Sequence, residues 1–141
     1  MSFFYGQDIR MSVYQAISDE NYYFLEQNKE RIKNSTEEKK EDWSIFAIYK
    51  GNIQIIDFFY NIVGCLPEKD DDDKYIICQV AYCINEENPD SEKFEETFNY
   101  LLTKYDIIPK ELYENISKGK YDPIVTNIID YRDSLLIKGI R

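Results

Sequence analysis

At 141 residues, with 43% hydrophobic and 31% charged side chains, the chain is long enough for one domain with its own core and too apolar for disorder. A formal charge of −10 argues against a nucleic-acid ligand, and the absence of histidine excludes Ser-His and Cys-His catalysis. No run of 18 apolar residues exists, and the opening MSFFYGQDIR lacks the basic and apolar regions of a signal peptide, so a cytoplasmic protein that avoids membranes is expected.

Helical signals dominate from the start. Asp8 or Ser12 is a candidate cap for a helix through Met11, Val13, Ala16 and Ile17, with a turn at Asp19–Asn21. Tyr22, Phe24, Leu25 and Ile32 continue a second helix, and residues 33–42 read as a solvated loop or a frayed helix end. Trp43 to Tyr49 forms a short apolar helix. Lys50-Gly51-Asn52 breaks it, with Gly51 supplying a left-handed reversal, and Ile53, Ile55, Ile56, Phe58, Phe59 and Ile62 make the next helix. Gly64 and Pro67 end that pair, and Asp70–Asp73 occupy the connection that follows.

The run from Tyr75 through Val80 fits either a strand or a helix by composition. Register with the other units places it on a helix, followed by a turn at Asn85–Asp90 and a helix capped by Ser91 and reaching Tyr105. Glu111–Ser117, a Lys118-Gly119-Lys120 turn and a helix over Pro123–Leu136 complete the chain, with Pro123 suited to a first helical turn. Phe24, Ile55, Ile56, Phe58, Phe59, Phe98, Leu101, Leu102, Ile128 and Ile129 follow helical spacing and are the predicted core.

These stretches superpose on one another. Ala16, Ala47, Ala81 and Asn115, each in the middle of a first apolar turn, are separated by 31, 34 and 34 residues. A period in that range is the signature of stacked helical pairs. The predicted units cover about residues 10–33, 43–64, 75–105 and 110–136 of a single domain spanning 1–141. The fold class expected is therefore all-α, an α-solenoid of about four helix pairs.

The run from Ala47 to Phe59, AIYKGNIQIIDFF, resembles the centre of an ankyrin repeat, where an Ala-rich helix meets a Gly turn, a polar residue and an aliphatic second helix. Residues 12–25 and 116–125 are similar in outline, so the resemblance spans about residues 10–136. It implies a protein-binding module, with Tyr49 and Tyr82 toward the concave face and inter-unit loops along one edge. The family's Thr-Pro-Leu-His opening is missing from every unit; Trp43-Ser44-Ile45 stands in its place in the second, and the third has no Gly at its turn.

Charge points to the same third unit. Residues 67–96 hold 11 acids against 3 bases, −8 of the total −10. Such a local field favours a basic partner and speeds encounter with it. Asp70, Asp71, Asp72 and Asp73 lack the alternating spacing and closing Glu of a calcium loop, so a partner-binding finger or a solvated loop is expected there. Cys65, Cys78 and Cys83 are odd in number and contain no Cys-x-x-Cys pair, which reads as buried, reduced thiols. No metal or cofactor is expected.

The reading is a non-enzymatic interaction module for a basic partner protein, in the manner of an inhibitor or immunity protein. Candidate contact residues are Trp43, Tyr49, Asp70, Asp71, Asp72, Asp73, Tyr82 and Glu86. Two alternatives remain open: an acidic nucleic-acid mimic that blocks a DNA-binding protein, and a helical bundle like the viral apoptosis inhibitors of the B-cell-lymphoma family. Oligomeric state is left undetermined.

Overall fold

The computed structural model describes residues 9–139, and the regular elements among them are all α-helices. The chain divides into two compact units, Met1–Leu66 and Pro67–Arg141. The first holds α1 (Arg10–Ser18), α2 (Tyr22–Gln27), α3 (Lys29–Lys33), α4 (Glu37–Lys50) and α5 (Ile53–Val63). The second holds α6 (Ile76–Tyr82), α7 (Ser91–Lys104), α8 (Lys110–Ser117) and α9 (Pro123–Ile137).

In the first unit α1 packs against both α2 and α4, and α4 packs against α5. Val13, Ile17, Leu25, Ile32, Trp43, Ala47, Ile48, Ile55, Ile56 and Phe59 are fully buried. Each large apolar side chain removed from water contributes about 1.5–3 kcal/mol, so this cluster outweighs the weak intrinsic stability of the short helices around it. Trp43 sits at its centre, its ring 6.3 Å from that of Phe59, and its indole N–H donates to the Arg10 carbonyl at 3.2 Å.

In the second unit α6 packs against α7 and α8. Ile76, Ile77, Cys78, Val80, Ala81, Phe98, Leu101, Leu112 and Val125 form its core. The predicted core residues Phe24 and Ile128 are only half-buried; the other eight lie inside. Of the three thiols expected to be buried, only Cys78 is; Cys65 is exposed and Cys83 half-buried.

Local chemistry moves several boundaries. The second helix is not continuous: it breaks into α2 and α3 at Asn28, where φ is −108° and the side-chain amide joins the backbone N–H on the Phe24 carbonyl, at 2.9 and 3.1 Å. The polar stretch before Trp43 is largely helical. Thr36 accepts from the Lys39 N–H at 3.2 Å, and Glu37 and Glu38 complement the positive end of α4. Lys40 is buried there, donating to the Lys33 carbonyl at 3.0 Å and pairing with Glu37 at 2.8 Å. Ser91 is the first helical residue of α7 rather than its cap, which is Asp90. Ser12 lies inside α1, whose N-cap is Ile9, and Asp8 falls outside the described residues.

The turns repeat one geometry. Ala16, Ala47, Ala81 and Asn115 are all buried. Four residues after three of them stands a left-handed residue: Glu20 at φ 55°, Gly51 at φ 74° and Gly119 at φ 69°. In the first and last turns the anchor carbonyl accepts from the N–H five residues on, Asn21 to Ala16 at 2.8 Å and Lys120 to Asn115 at 3.0 Å. The third turn has no left-handed residue. Instead the Asn85 side chain accepts from the N–H groups of Glu87 and Asn88, and the Asn88 amide donates to the Cys83 carbonyl at 2.6 Å. Side-chain amides thus replace a glycine.

A Cβ added at Gly119 meets open space, so only its backbone conformation resists a side chain. Gly119→Ala is expected to lower stability by about 1 kcal/mol in a denaturant titration. Trp43→Ala, which empties the first core and removes the indole's bond to the Arg10 carbonyl, is expected to lose about 3–5 kcal/mol in the same assay.

Candidate functional site: an acidic hairpin

After Gly64 and Pro67 have ended α5 and its connection, the chain does not form the loose loop that its charge suggests. It folds back on itself over Glu68–Tyr75. Lys69 and Tyr75 form an antiparallel bridge, the Asp70 N–H donates to the Lys74 carbonyl at 2.9 Å, and the Ile76 N–H donates to the Glu68 carbonyl at 2.9 Å. At the tip the Asp73 N–H closes a turn on the Asp70 carbonyl at 3.0 Å, with Asp73 left-handed at φ 61°.

Four successive carboxylates repel one another, so the turn needs a fixed use for at least one. Asp70 supplies it: its Oδ1 accepts from the N–H groups of Asp72 and Lys74, both at 3.0 Å. Asp70 is therefore a turn former. Asp71, Asp72 and Asp73 are exposed. Lys69 pairs with Asp73 at 3.3 Å and lies 4.7 Å from the Tyr75 ring centre. The hydrogen bond and charge of Asp73 hold the Lys69 ammonium above its ordinary pKa. From Glu68 to Tyr75 five acids face two bases, a net charge of −3 on one small loop.

The base of the hairpin is anchored by Tyr105, the residue that ends α7. Its hydroxyl donates to the Pro67 carbonyl at 2.7 Å. Burial and the charge of Glu68 push that phenol well above its usual pKa. Around this anchor Glu68, Tyr75, Ile77, Tyr105, Ile107 and Pro109 line a pocket of about 110 Å³.

The other predicted contact residues do not gather here. Tyr82, the last residue of α6, and Glu86, in the turn after it, are exposed at the opposite end of that helix from the hairpin. The Tyr82 ring packs on Tyr121 with centroids 4.8 Å apart. Tyr49 is half-buried on α4 of the first unit. Trp43 must be corrected: it lies in the middle of α4, fully buried with its N–H already bonded, and offers nothing to a partner. Its apolar neighbours in the core, rather than the edge of a unit, decide its place.

Sequence reasoning passed over Tyr105 and Glu68, whose roles depend on meeting across 37 residues of chain. Asn115 reads from the sequence only as the fourth small anchor, although a polar residue at an otherwise alanine position signals a bonded side chain. Its amide donates to the Tyr121 hydroxyl at 2.8 Å, which satisfies it in the core beside Cys78. Among the described residues no group of three carboxylates or thiols converges as a metal site. No helix there is long and apolar enough to cross a membrane. No protein-family model, curated protein or solved structure matches the chain.

Burial raises the Cys78 thiol from its ordinary value of 9.0 to about 11, and the Tyr105 and Tyr121 phenols also rise, again mainly through burial. A raised folded-state pKa means stability that is fully present below pH 9 and lost as pH climbs through about 11. Thermal melts should show a constant midpoint from pH 7 to 8.5 and a falling one from pH 9 to 11. Cys78→Ala should flatten part of that fall.

Proposed function

We propose that the chain is a divergent ankyrin-like α-solenoid of about four helix pairs and a non-enzymatic module that binds a basic partner protein, acting as an inhibitor in the manner of an immunity protein. The solenoid reading is supported by the shared turn geometry after Ala16, Ala47 and Asn115, and by first helices lying side by side, α1 with α4 and α6 with α8. The observation that carries the binding reading is the hairpin Glu68–Tyr75. A tethered turn presenting Asp71, Asp72 and Asp73 outward concentrates negative potential at a defined place. Exposed charges of this kind act chiefly on encounter rate and on the choice of partner. Tyr82 and Glu86 extend the proposed contact within the same unit.

The test starts from affinity capture on the immobilised chain from its source cell, with the captured protein identified by mass spectrometry and titrated in purified form. The triple variant Asp71→Asn, Asp72→Asn, Asp73→Asn should melt as the parent does, because these side chains are exposed. It should bind the partner about tenfold more weakly, mainly through a slower on-rate, and with a shallower salt dependence. Equal affinity and an equal salt slope would dispose of the electrostatic reading.

A further inference from the structure

We infer that the pocket at the base of the hairpin is an arginine-binding site, which receives one arginine side chain of the basic partner; this rests on the proposed partner reading and names the group recognised. The walls of the pocket are Tyr75 from the hairpin, Ile77 from the first turn of α6, and Tyr105, Ile107 and Pro109 from the connection between α7 and α8. All but Glu68 are apolar or aromatic. A closed cavity of about 150 Å³ admits a benzene ring, so an open one of about 110 Å³ suits a linear side-chain stem.

Three observations select the occupant. Ile107 is 74% exposed in the wall of the pocket, an apolar surface that a methylene stem would cover. Glu68 is exposed and, among the described residues, pairs with no cation, although it stands beside an otherwise apolar surface. The adjoining tip carries Asp71 and Asp72, which likewise pair with no cation among the described residues. Apolar walls with a carboxylate at the rim complement a side chain that is apolar along its length and cationic at its end. Guanidinium fits better than ammonium because its planar fork bonds a carboxylate through two N–H groups, whereas an ammonium meets it as a single point charge. The hairpin draws the partner in, and the pocket reads one residue of it.

The probe is a fluorescein-labelled hexapeptide, Gly-Arg-Gly-Arg-Gly-Arg, with a citrulline-for-arginine peptide of equal size and no charge as control. Titrated into the full chain, the arginine peptide should bind and the citrulline peptide should not. Amide NMR shifts should centre on Glu68, Tyr75, Ile77 and Ile107. Glu68→Gln and Ile107→Ser, both at exposed positions and checked by an unchanged melt, should each raise Kd about fivefold or more. Asp71→Asn with Asp72→Asn should raise it less than threefold and reduce the salt slope.

If Ile107→Ser and Glu68→Gln bind the peptide as the parent does, the pocket is overturned while the acidic hairpin remains a possible attractor. Shifts confined to the hairpin tip, or equal binding of both peptides, overturn it as well. If the peptide behaves as expected but the triple Asn variant captures its partner unchanged, the electrostatic reading fails and the arginine site stands.

Discussion

Helices of seven to nine residues, such as α6, α8 and α1, do not persist alone in water, because nucleation consumes most of what so few hydrogen bonds return. Everything else in this chain depends on how they are held. The device is a buried small residue followed by a tight reversal. A side chain no larger than Ala or Asn lets the next helix approach closely, and a left-handed residue four positions later turns the chain back over it. Where Gly occupies that position the conformation is inexpensive; at Glu20 a non-glycine residue carries it, and the bonds from Asn21 to Ala16 and from Glu20 to Ile17 hold it there. The third turn solves the same problem with Asn85 and Asn88.

The hairpin rests on a related trade between backbone and charge. Four aspartates in a row would disperse in a flexible loop, yet the N–H groups of Asp72 and Lys74 converge on one Asp70 oxygen. Lys69 offsets Asp73 and shields the Tyr75 face. Tyr105 then ties Pro67 to the end of α7. The outcome is an acidic loop of fixed shape rather than a diffuse cloud of charge, and shape is what allows it to discriminate between partners.

Much of the helical content was legible because it follows local rules. The Gly51 reversal, the helix Ile53–Val63 and the Pro123 start all appear where their residue types place them. The run Tyr75–Val80, which composition leaves between strand and helix, caps and begins the helix Ile76–Tyr82. The errors arise where two local preferences compete. Asn28 departs from helical geometry with its side chain bonded to the Phe24 carbonyl, and Thr36 with Glu37 and Glu38 begins α4 in a stretch that polarity alone marks as solvated. The all-α class was readable; the proposed stacking of the pairs is a matter of packing that no single segment encodes.

For the candidate site the division is sharper. The sequence by itself determined where negative charge concentrates, which small residues recur, and that no histidine is present to act as a base. These are properties of composition and spacing, so they survive any fold. Only tertiary structure decided that Trp43 belongs to the core, that Asp70 turns inward while Asp71–Asp73 face out, and that Glu68 and Tyr105 border one pocket. Burial and contact depend on residues far apart in the chain, and that distance is closed only when the apolar faces of the helices come together.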